Sequence, residues 1–221
     1  MFKFPTTPHI SSHSIMERTD KVLEKFEISD LLSHEIIIEE KIDGANLGIS
    51  FNDNGTIQLQ NRGHILSAPL LGQWKPLRNW IQIHEDRLFD VLEDRYILFG
   101  EWCYAKHSIY YTKLPDWFLV FDVYDTVERR FFSVDRRNNF VSQLYLSNVP
   151  LIAKGKFSID DLLFMQPKSH YSDEKCEGIY IRYELGNWLE KRAKLVQKDF
   201  FQDIDLHWSK KCIVPNKLAS V

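Results

Sequence analysis

A lysine beside an Asp-Gly pair offers a nucleophile early in the chain. Residues 39–50, EEKIDGANLGIS, place Lys41 between two acids and the Asp43-Gly44 pair. An ammonium cannot attack phosphorus but a free amine can, so a nucleophilic lysine needs its pKa lowered by burial or by nearby cations. Glycine would let the backbone come close to a ligand, because it carries no side chain. For a KxDG sequence alone, a solvated lysine at a strand end before a hairpin is the better interpretation.

Acidic, basic and aromatic companions follow this lysine in a definite order. They are Asn46, Arg62-Gly63, Phe99-Gly100-Glu101, Phe121-Asp122, Glu177-Gly178 and Lys194. Each has an ordinary explanation: Phe121 lies in an alternating apolar run that is typical of a core, and Glu177 begins a strand whose edge water could solvate. Asp122 is equally compatible with a structural role and with a position near a metal ion. The complete ordered set is what favours a catalytic site.

Phosphoryl chemistry gives these residue types a common purpose. A nucleoside triphosphate carries about four negative charges, and catalysis of its transfer is mostly positioning and electrostatic stabilisation. Arg192, Lys194 and a magnesium ion would supply positive charge, and they would also keep Lys41 deprotonated by like-charge repulsion. Glu101 and Glu177 would then bind the sugar and the metal. Magnesium prefers oxygen ligands and retains waters, so a few carboxylates suffice, and the absence of a tight histidine cluster in the sequence argues against zinc.

Short β-like runs, interrupted by a few helical segments, must position these side chains. Strands are predicted at 35–42, 46–51, 56–62, 95–102, 117–125, 177–183 and 192–196. Because Asp-Gly and Asn-Gly between apolar runs are hairpin signals, the first three strands are predicted to form an antiparallel meander. Helices are predicted at 14–26, 86–93, 133–146 and 158–166. Antiparallel sheets with separate helices indicate an α+β fold.

Composition excludes several classes of protein. The chain has 221 residues, 44% hydrophobic and 14% aromatic, which is enough for one large or two small packed domains. It contains neither a run of about 18 apolar residues nor the basic-then-apolar order of a secretory signal. Its three cysteines form no CxxC pair, and its net charge of −3 gives no nucleic-acid signal, although a local basic groove would be enough to bind phosphates. We therefore expect a cytoplasmic protein that is not associated with a membrane.

Taken in order, the motifs resemble the covalent nucleotidyltransferase superfamily of polynucleotide ligases and mRNA capping enzymes. Within it, the chain is similar to ATP-dependent RNA ligases of the RNA ligase 2-like group. The resemblance runs from TPHISSHSI to KLVQKDF, and the lysine motif, residues 100–125 and EGIYIR at 177–182 are its most specific stretches. It implies a nucleotidyltransferase domain, the ATP-grasp-like adenylation domain of ligases. In that fold two antiparallel sheets are flanked by helices, and the nucleotide lies in the groove between them.

The resemblance implies a role for each matching residue. Lys41 matches the lysine that attacks the α-phosphate of ATP, which releases pyrophosphate and leaves a lysyl-adenylate. Glu40 lies where the family recognises the purine. Asn46 matches the RNA-ligase form of the motif and contacts the ribose or its polar neighbours. Arg62 matches an arginine that contacts sugar or phosphate, and Glu101 matches the acid that binds the ribose hydroxyl.

Further roles follow in the same way. Phe121 matches the aromatic ring stacked on adenine, a contact worth about 1–3 kcal/mol per base. Glu177 matches an acid linked to the catalytic divalent metal, and Asp122 is a second candidate near that metal. Asp43 belongs to the lysine motif and is expected to help bind the nucleotide.

Basic residues near the end of the matched region depart from the family pattern. The fourth motif ends here in Arg182 instead of lysine, which keeps the charge but changes its geometry. The fifth motif usually has two lysines two residues apart, and here Arg192 and Lys194 occupy those positions, on one face of a strand. All three are expected to serve the nucleotide, and Lys194 is also expected to take part in catalysis.

The resemblance implies an ATP-dependent RNA ligase that joins RNA 5′-phosphate and 3′-hydroxyl ends, with Mg²⁺ or Mn²⁺ as cofactor. Lys41 is adenylylated, AMP passes to the RNA 5′-phosphate, and the 3′-hydroxyl displaces AMP. A DNA ligase, a GTP-using capping enzyme and a non-catalytic nucleic-acid-binding module of the same fold are the alternatives. We expect residues 1–221 to form a single adenylyltransferase domain without a separate C-terminal RNA-binding domain. We expect a monomer, for which an accessory protein or domain would strengthen RNA binding.

Overall fold

Two β-sheets and four helices make up the part of the chain that the structure describes. This structure is a computed structural model, and it describes residues 2–11, 21–197 and 213–220. The strands are β1 (Ile36–Lys41), β2 (Ala45–Phe51), β3 (Ile57–Asn61), β4 (His64–Ile65), β5 (Tyr96–Trp102), β6 (Phe118–Asp125), β7 (Arg130–Phe131), β8 (Ser147–Asn148), β9 (Leu151–Gly155), β10 (Gly178–Leu185) and β11 (Trp188–Val196). The helices are α1 (Lys25–Leu32), α2 (Leu77–Leu92), α3 (Val134–Ser142) and α4 (Ile159–Phe164).

The strands form the two sheets that an α+β fold of this type requires. The first sheet has the order β11-β10-β1-β9, and the second has the order β4-β3-β2-β5-β6-β7 with β8 beside β6. Within the described ranges the pairing between these strands is antiparallel, except that the short β8 pairs with β6 in parallel. The predicted α+β fold with two antiparallel sheets is confirmed.

Strands β1 and β2 belong to different sheets, so the predicted three-strand meander is wrong. β1 pairs with β10 and β9, whereas β2 pairs with β3 and β5. The Asn-Gly signal is right, because residues 52–56 close a β2–β3 hairpin. The Asp43-Gly44 pair instead carries the chain from the first sheet to the second. Five consecutive buried residues in β1 explain this, since such a strand needs a central position between two neighbours.

Two glycines, Gly44 and Gly178, allow their backbone to lie very close to a neighbouring strand. A β-carbon on Gly44 would lie 2.8 Å from the carbonyl oxygen of Trp102 and 2.9 Å from Cγ of Glu101. A β-carbon on Gly178 would collide with the carbonyl oxygen of Leu195. Gly44 ends the lysine motif and Gly178 directly follows the predicted metal ligand Glu177, so both segments lie close against adjacent strands.

The sequence predicts the helix caps more accurately than the helix bounds. Ser133 and Ser158 cap α3 and α4 as the sequence suggests, and Ser158 forms a capping box with Asp161. α2 begins at Leu77, well before the predicted start at residue 86. Most of the predicted helix at 14–26 lies outside the described residues, and α1 begins at its end. Among the described residues, no helix is both long and apolar enough to cross a lipid bilayer.

Each sheet has its own hydrophobic core, and a third cluster lies beside the crossing between them. Helix α2 packs on the second sheet, and α1 and α4 pack on the first. The third cluster comprises Ile42, Cys103, Ile109, Tyr111, Leu114, Leu119 and Val149. It attaches the residue that follows the lysine to the segment 103–114, which connects β5 to β6.

A buried network of charged side chains connects the two sheets. Arg137 on α3 donates to both carboxylate oxygens of Glu39 on β1, at 3.1 and 2.6 Å. Arg182 on β10 donates to Oδ1 of Asp122 on β6 at 2.8 Å and to Oε1 of Glu184 at 3.0 Å. The side chains of Arg137, Glu39, Arg182 and Asp122 are each at most 1% exposed. Because opposite charges lie within hydrogen-bond distance throughout, the network holds the sheets together without leaving a buried charge unpaired.

Candidate active site

Lys41 ends β1 in direct contact with Glu177. In the β1–β10 register Lys41 lies opposite Gly178, which brings the preceding glutamate to the lysine side chain. Lys41 Nζ donates to Glu177 Oε2 at 2.5 Å, and the two side chains are 23% and 9% exposed. The structure therefore brings the predicted nucleophile and the predicted metal ligand together, with limited access to bulk water.

The acids around Lys41 hold its proton. Burial lowers the pKa of Lys41, but Glu177, Glu101 and Asp43 raise it by more, so that the pKa lies above its ordinary value. The sequence predicts the opposite, because it places cations around the amine. In the protein alone the charged groups that act most strongly on the amine are carboxylates, so the predicted lowering of the pKa, which includes a bound magnesium ion, stays a prediction. A nucleophilic Lys41 requires a ligand that offsets these negative charges.

The second sheet contributes Glu101, Asn46 and Arg62 to the same cleft. Glu101 on β5 and Asn46 on β2 lie opposite each other in register, and Arg62 directly follows β3. Burial raises the pKa of Glu101 to about 8, the charges of Lys41 and Arg62 oppose the rise, and Glu177 adds to it. Oδ1 of Asn46 is buried and has no hydrogen-bond partner among the described residues. Residues from both sheets thus face one another across the groove that the fold predicts.

Glu40 presents one bonded and one unbonded acceptor. The residue is 2% exposed, and its Oε2 accepts from the backbone N–H of His170 at 2.9 Å. The same oxygen lies 3.0 Å from Nδ1 of the His170 ring, which donates when it carries the proton. Oε1 is buried, and no described residue bonds to it. Because an unpaired buried carboxylate oxygen is costly, Glu40 Oε1 is suited to a donor on a ligand.

Asp43 anchors the turn after the lysine. Its Oδ2 accepts from the backbone N–H groups of Ser108 and Ile109 at 2.7 and 2.9 Å. Its own N–H donates to Oη of Tyr111 at 2.8 Å. The geometry gives Asp43 a structural role beside the site, and its direct contact with a nucleotide stays a prediction.

Phe121 lies on β6 where two hydrophobic clusters meet. It is half-buried, and the ring of Phe4 lies edge-on to it with the centroids 5.3 Å apart. It packs against both the cluster around Tyr111 and the cluster around Phe99. Stacking of Phe121 on a base stays a prediction.

Arg192 and Lys194 share one face of β11, as the alternation predicts. The neighbouring Ala193 and Leu195 are buried in the core of the first sheet. Lys194 lies opposite Tyr180 on β10. Arg192 is bonded to the ion network and is 11% exposed, so its contact with a nucleotide stays a prediction.

Asp122 and Arg182 belong to the buried ion network. Asp122 is fully buried, and its two oxygens accept from Arg182 at 2.8 Å and from Arg192 at 3.0 Å. Arg182 is fully buried as well and also donates to the backbone oxygen of Phe132 at 3.0 Å. The geometry gives both groups a structural role, because they are enclosed and already bonded. The contact of Asp122 with a metal and that of Arg182 with a nucleotide stay predictions.

The remaining carboxylates fit a hard divalent cation held mainly by other ligands. Among the described residues, no group of three or more His, Cys, Asp or Glu side chains could hold a metal ion. Magnesium bound to a nucleotide keeps several waters and takes only one or two protein carboxylates. Glu177 and Glu101 provide that chemistry in the cleft, with Glu177 the predicted ligand.

Residues without a predicted role also border the site. His170 holds Glu40 through its backbone N–H and its ring, yet no local motif marks it. The backbone N–H of Gln197 donates to the backbone oxygen of Glu177 at 3.0 Å, and its Nε2 is buried without a partner in the described ranges. His107 Nε2 lies 3.0 Å from Oε1 of Gln73, and burial lowers the pKa of His107. Each depends on contacts distant in sequence, which spacing alone does not reveal.

Comparison with known proteins gives a family match that covers most of the chain. The RNA ligase family model matches residues 34–196, a range that includes the predicted site. A search of curated protein sequences finds no match.

Solved structures of Naegleria gruberi RNA ligase share the fold. A variant with ATP and Mn aligns with a TM-score of 0.67 at 16% identity, over 91% of this chain and 58% of that chain. Another variant, with AMP and Mn, gives a TM-score of 0.65 at 16% identity, over 91% and 57% of the two chains. The ligase with PPi gives 0.64 at 19% identity, over 89% and 63%. The chain therefore spans less than two thirds of the length of these ligases.

Proposed function

The chain belongs to the RNA ligase family, and on that premise we propose that it is an ATP-dependent RNA ligase that works through a lysyl-AMP intermediate. Lys41 attacks the α-phosphate of ATP, and pyrophosphate leaves. The AMP then passes to an RNA 5′-phosphate, and an RNA 3′-hydroxyl displaces it to form the phosphodiester bond. The ligases solved with ATP, AMP, PPi and Mn support these reactants.

The position of Lys41 is the observation that carries this proposal. The amine stands where β1 leaves the first sheet, 2.5 Å from Glu177. Glu101 and Asn46 extend from the second sheet across the same cleft. A nucleotide between the sheets would bring its α-phosphate to the amine and its sugar to Glu101 and Asn46. Such a ligand would provide the hydrogen-bond donor that the buried oxygen of Asn46 lacks among the described residues.

Glu40 supports adenine as the base. Its unbonded Oε1 can only accept a hydrogen bond while the carboxylate is ionised. Adenine presents an amino group as a donor at the position where guanine presents a carbonyl oxygen. We propose that Oε1 faces the 6-position of the base, where an acceptor favours ATP over GTP; at other positions guanine also offers N–H donors.

Charged side chains of both signs would act in adenylylation: the cations on the leaving group, and the carboxylates on the lysine and the metal ion. Lys41 Nζ gives up its proton to Glu177, which lies 2.5 Å away, and the bond from Nζ to the α-phosphorus forms as the bond to the bridging oxygen of pyrophosphate breaks. Lys194 and Arg192, on one face of β11, would offset the charge that grows on the leaving group. A bound divalent cation would add positive charge that offsets both the triphosphate and the carboxylates that hold the lysine proton.

The proposal extends to substrate and setting. RNA with a 5′-phosphate and a 3′-hydroxyl is the substrate, which family membership supports. We further propose a monomer in the cytoplasm, assisted in RNA binding by an accessory protein or domain. Size-exclusion chromatography with light scattering tests the monomer directly.

Adduct formation tests the proposed chemistry. The purified protein is incubated with Mg²⁺ and either labelled ATP or labelled GTP, and peptides are then examined by mass spectrometry. We expect one AMP per chain, on Lys41, and no GMP. Addition of a nicked or single-stranded RNA with the required ends should release AMP and give a joined product.

Matched variants identify the nucleophile. Lys41→Ala should form no adduct, whereas Lys154→Ala, which changes an exposed lysine on β9, should behave like wild type. A GMP adduct without an AMP adduct would indicate a capping-type enzyme. Equal strand joining by wild type and Lys41→Ala would contradict the lysyl-AMP mechanism.

A further inference from the structure

The segment 213–220 binds the segment 103–114, which contacts Ile42 and Asp43 beside the cleft. Five backbone hydrogen bonds of 2.7–3.0 Å join the two segments, between residues 104, 106, 111 and 114 on one side and residues 214, 216, 217 and 219 on the other. Isolated β-bridges pair Ala105 with Pro215 and Leu114 with Leu218. Although the two segments are more than 90 residues apart in the sequence, they form one folded unit.

Asn216 fastens this unit with every hydrogen-bonding group of its amide. Its Oδ1 accepts from the backbone N–H of Tyr111 at 2.9 Å. Its Nδ2 donates to the backbone oxygens of Cys103 at 2.8 Å and of Ala105 at 3.2 Å. The amide has two N–H donors and one carbonyl, and all of them are used. A side chain of another chemistry cannot reproduce this pattern.

Apolar packing does not explain the attachment. Asn216 is 3% exposed, while the described residues around it in the segment, 213–215 and 217–220, are all exposed. The segment is therefore held by polar contacts centred on one buried asparagine. Buried amides that bond only to backbone fix the geometry of that backbone, because hydrogen bonds are directional.

The segment 103–114 in turn holds the turn that follows Lys41. Asp43 accepts from Ser108 and Ile109 and donates its own N–H to Tyr111 Oη, with distances from 2.7 to 2.9 Å. The side chain of Ile42 packs against the same segment in the third hydrophobic cluster. A shift of 103–114 therefore moves the two residues next to the lysine.

We propose that Asn216 is a positioning residue for Lys41, acting through segment 103–114 and the Asp43 turn. This inference rests on the proposed function, since it concerns the same adenylylation. Asn216 does not touch the reacting atoms. Its contribution is to keep the amine aligned with the α-phosphate, where a displacement of about 1 Å can cost on the order of 100-fold in rate.

Single-turnover kinetics separate positioning from folding. The rate constant of AMP-adduct formation from excess ATP describes the folded molecules, whereas the amplitude counts them. We expect Asn216→Ala to lower the rate constant at least about tenfold. Asn139→Ala, the same change at an exposed asparagine on α3, should leave both quantities unchanged. Asn216→Ser, which can keep one of the three bonds, is the second variant if Asn216→Ala does not fold.

Two further measurements show which segment and which reaction step the Asn216 variant affects. Hydrogen exchange should accelerate in 103–114 of the variant but not in β2 or β5. Sealing of RNA that already carries 5′-AMP does not need the attack by Lys41, so it should slow less than adduct formation.

The outcomes are distinct. A wild-type rate constant with a reduced amplitude, or equal slowing of both reactions, would mean that Asn216 only stabilises the fold. Failure of the wild-type protein to form any AMP adduct would contradict the proposed function itself. In that case hydrogen exchange would still show whether Asn216 holds segment 103–114, but its assignment to Lys41 would be lost.

Discussion

Two clusters of charge lie close together on β1 and are built in opposite ways. Around Glu39, Arg137 bonds both carboxylate oxygens, and the cluster continues through arginine–carboxylate contacts that exclude water. Around Lys41, one ammonium meets Glu177 at 2.5 Å while Glu101 lies close enough to raise its pKa as well. The first cluster is neutralised within the protein, whereas negative charge dominates at the second.

This contrast separates structural charge from charge that awaits a ligand. In the Glu39 cluster a ligand has nothing to contribute, because each carboxylate already has arginine partners. In the Lys41 cluster the pKa of Glu101 is raised to about 8, and the acceptors Glu40 Oε1 and Asn46 Oδ1 are buried without partners in the described ranges. Sugar hydroxyls, an amino group and a divalent cation are the groups that would satisfy the second cluster.

Replacement of Lys41 should have the largest effect on activity of the changes considered, with little effect on stability. We expect Lys41→Met to lower adduct formation by on the order of 10⁴-fold or more, because no neighbouring group can replace the amine. The pair with Glu177 is mostly buried, but burial also raises the pKa of Glu177, so this carboxyl can take up a proton when the ammonium is removed, and the melting temperature should change by no more than about 4 °C. Calorimetry together with adduct formation checks both statements. A large drop in melting temperature with Lys41→Met would place this lysine in the structural class.

Removal of one arginine from the ion network should do the opposite: it should lower stability strongly and change the adduct rate constant little. Arg182→Met leaves Asp122 and Glu184 buried without their main cation, which we expect to cost about 3–5 kcal/mol of unfolding free energy. The adduct rate constant per folded molecule should stay within a few-fold of wild type, since Arg182 does not reach the cleft. Urea denaturation gives the stability, and single-turnover kinetics give the rate.

An exposed arginine provides the control for that experiment. Arg130→Met breaks a surface contact with Glu190 and should cost only about 0–1 kcal/mol. If Arg182→Met instead folds normally and loses ATP binding, the result would support the nucleotide role that the sequence predicts for Arg182.

The raised pKa of Glu101 should make stability and activity respond oppositely to pH. The folded protein keeps this proton up to about pH 8, whereas the ordinary value is 4.5. Between those values the folded state binds more protons than the unfolded state, so the stabilising contribution declines as pH rises and is lost above about pH 8. Glu101→Gln abolishes this decline. Its melting temperature relative to wild type should therefore increase from pH 5 to pH 9 by on the order of 10 °C, because the difference between a pKa of 4.5 and one of about 8 corresponds to roughly 5 kcal/mol, and 1 kcal/mol corresponds to about 2–4 °C in a chain of this size.

Activity should follow the ionised form of the same carboxylate. As an acceptor for a ribose hydroxyl, Glu101 functions without its proton, so kcat/KM for ATP should rise through about pH 8. Glu101→Gln should lower kcat/KM and lose that inflection, whereas Glu35→Gln, at an exposed glutamate, should retain it. An unchanged inflection in Glu101→Gln would assign it to another group.

Much of this contrast lies beyond what the sequence can predict. The strands, two helix caps and the order of Lys41, Glu101 and Glu177 follow from local patterns and motif spacing. The crossing after β1 does not, because Asp-Gly signals a turn without stating which strand comes next. Asp122 and Arg182 occupy motif positions, and only long-range pairing shows that each is enclosed by the other.

The same limit applies to residues that support the site. Asn216, His170 and Gln197 lie in short segments without a motif, and their partners are distant in the sequence. Their importance comes from the backbone groups that they meet after folding. Local chemistry predicts the reacting groups, whereas the groups that orient them depend on tertiary structure.

The smallest expected effect concerns the link between the Lys41 cluster and the base. His170→Ala removes the ring contact at 3.0 Å from Glu40 Oε2 but keeps the backbone contact at 2.9 Å, so Glu40 should lose orientation without losing its charge. We expect the preference for ATP over GTP in kcat/KM to fall by roughly 1 kcal/mol, about fivefold. His34→Ala, at a histidine stacked on Tyr183, should leave the preference unchanged. Equal losses with ATP and GTP would show that His170 supports the cleft generally, and base selection would then depend on Glu40 and its backbone contact alone.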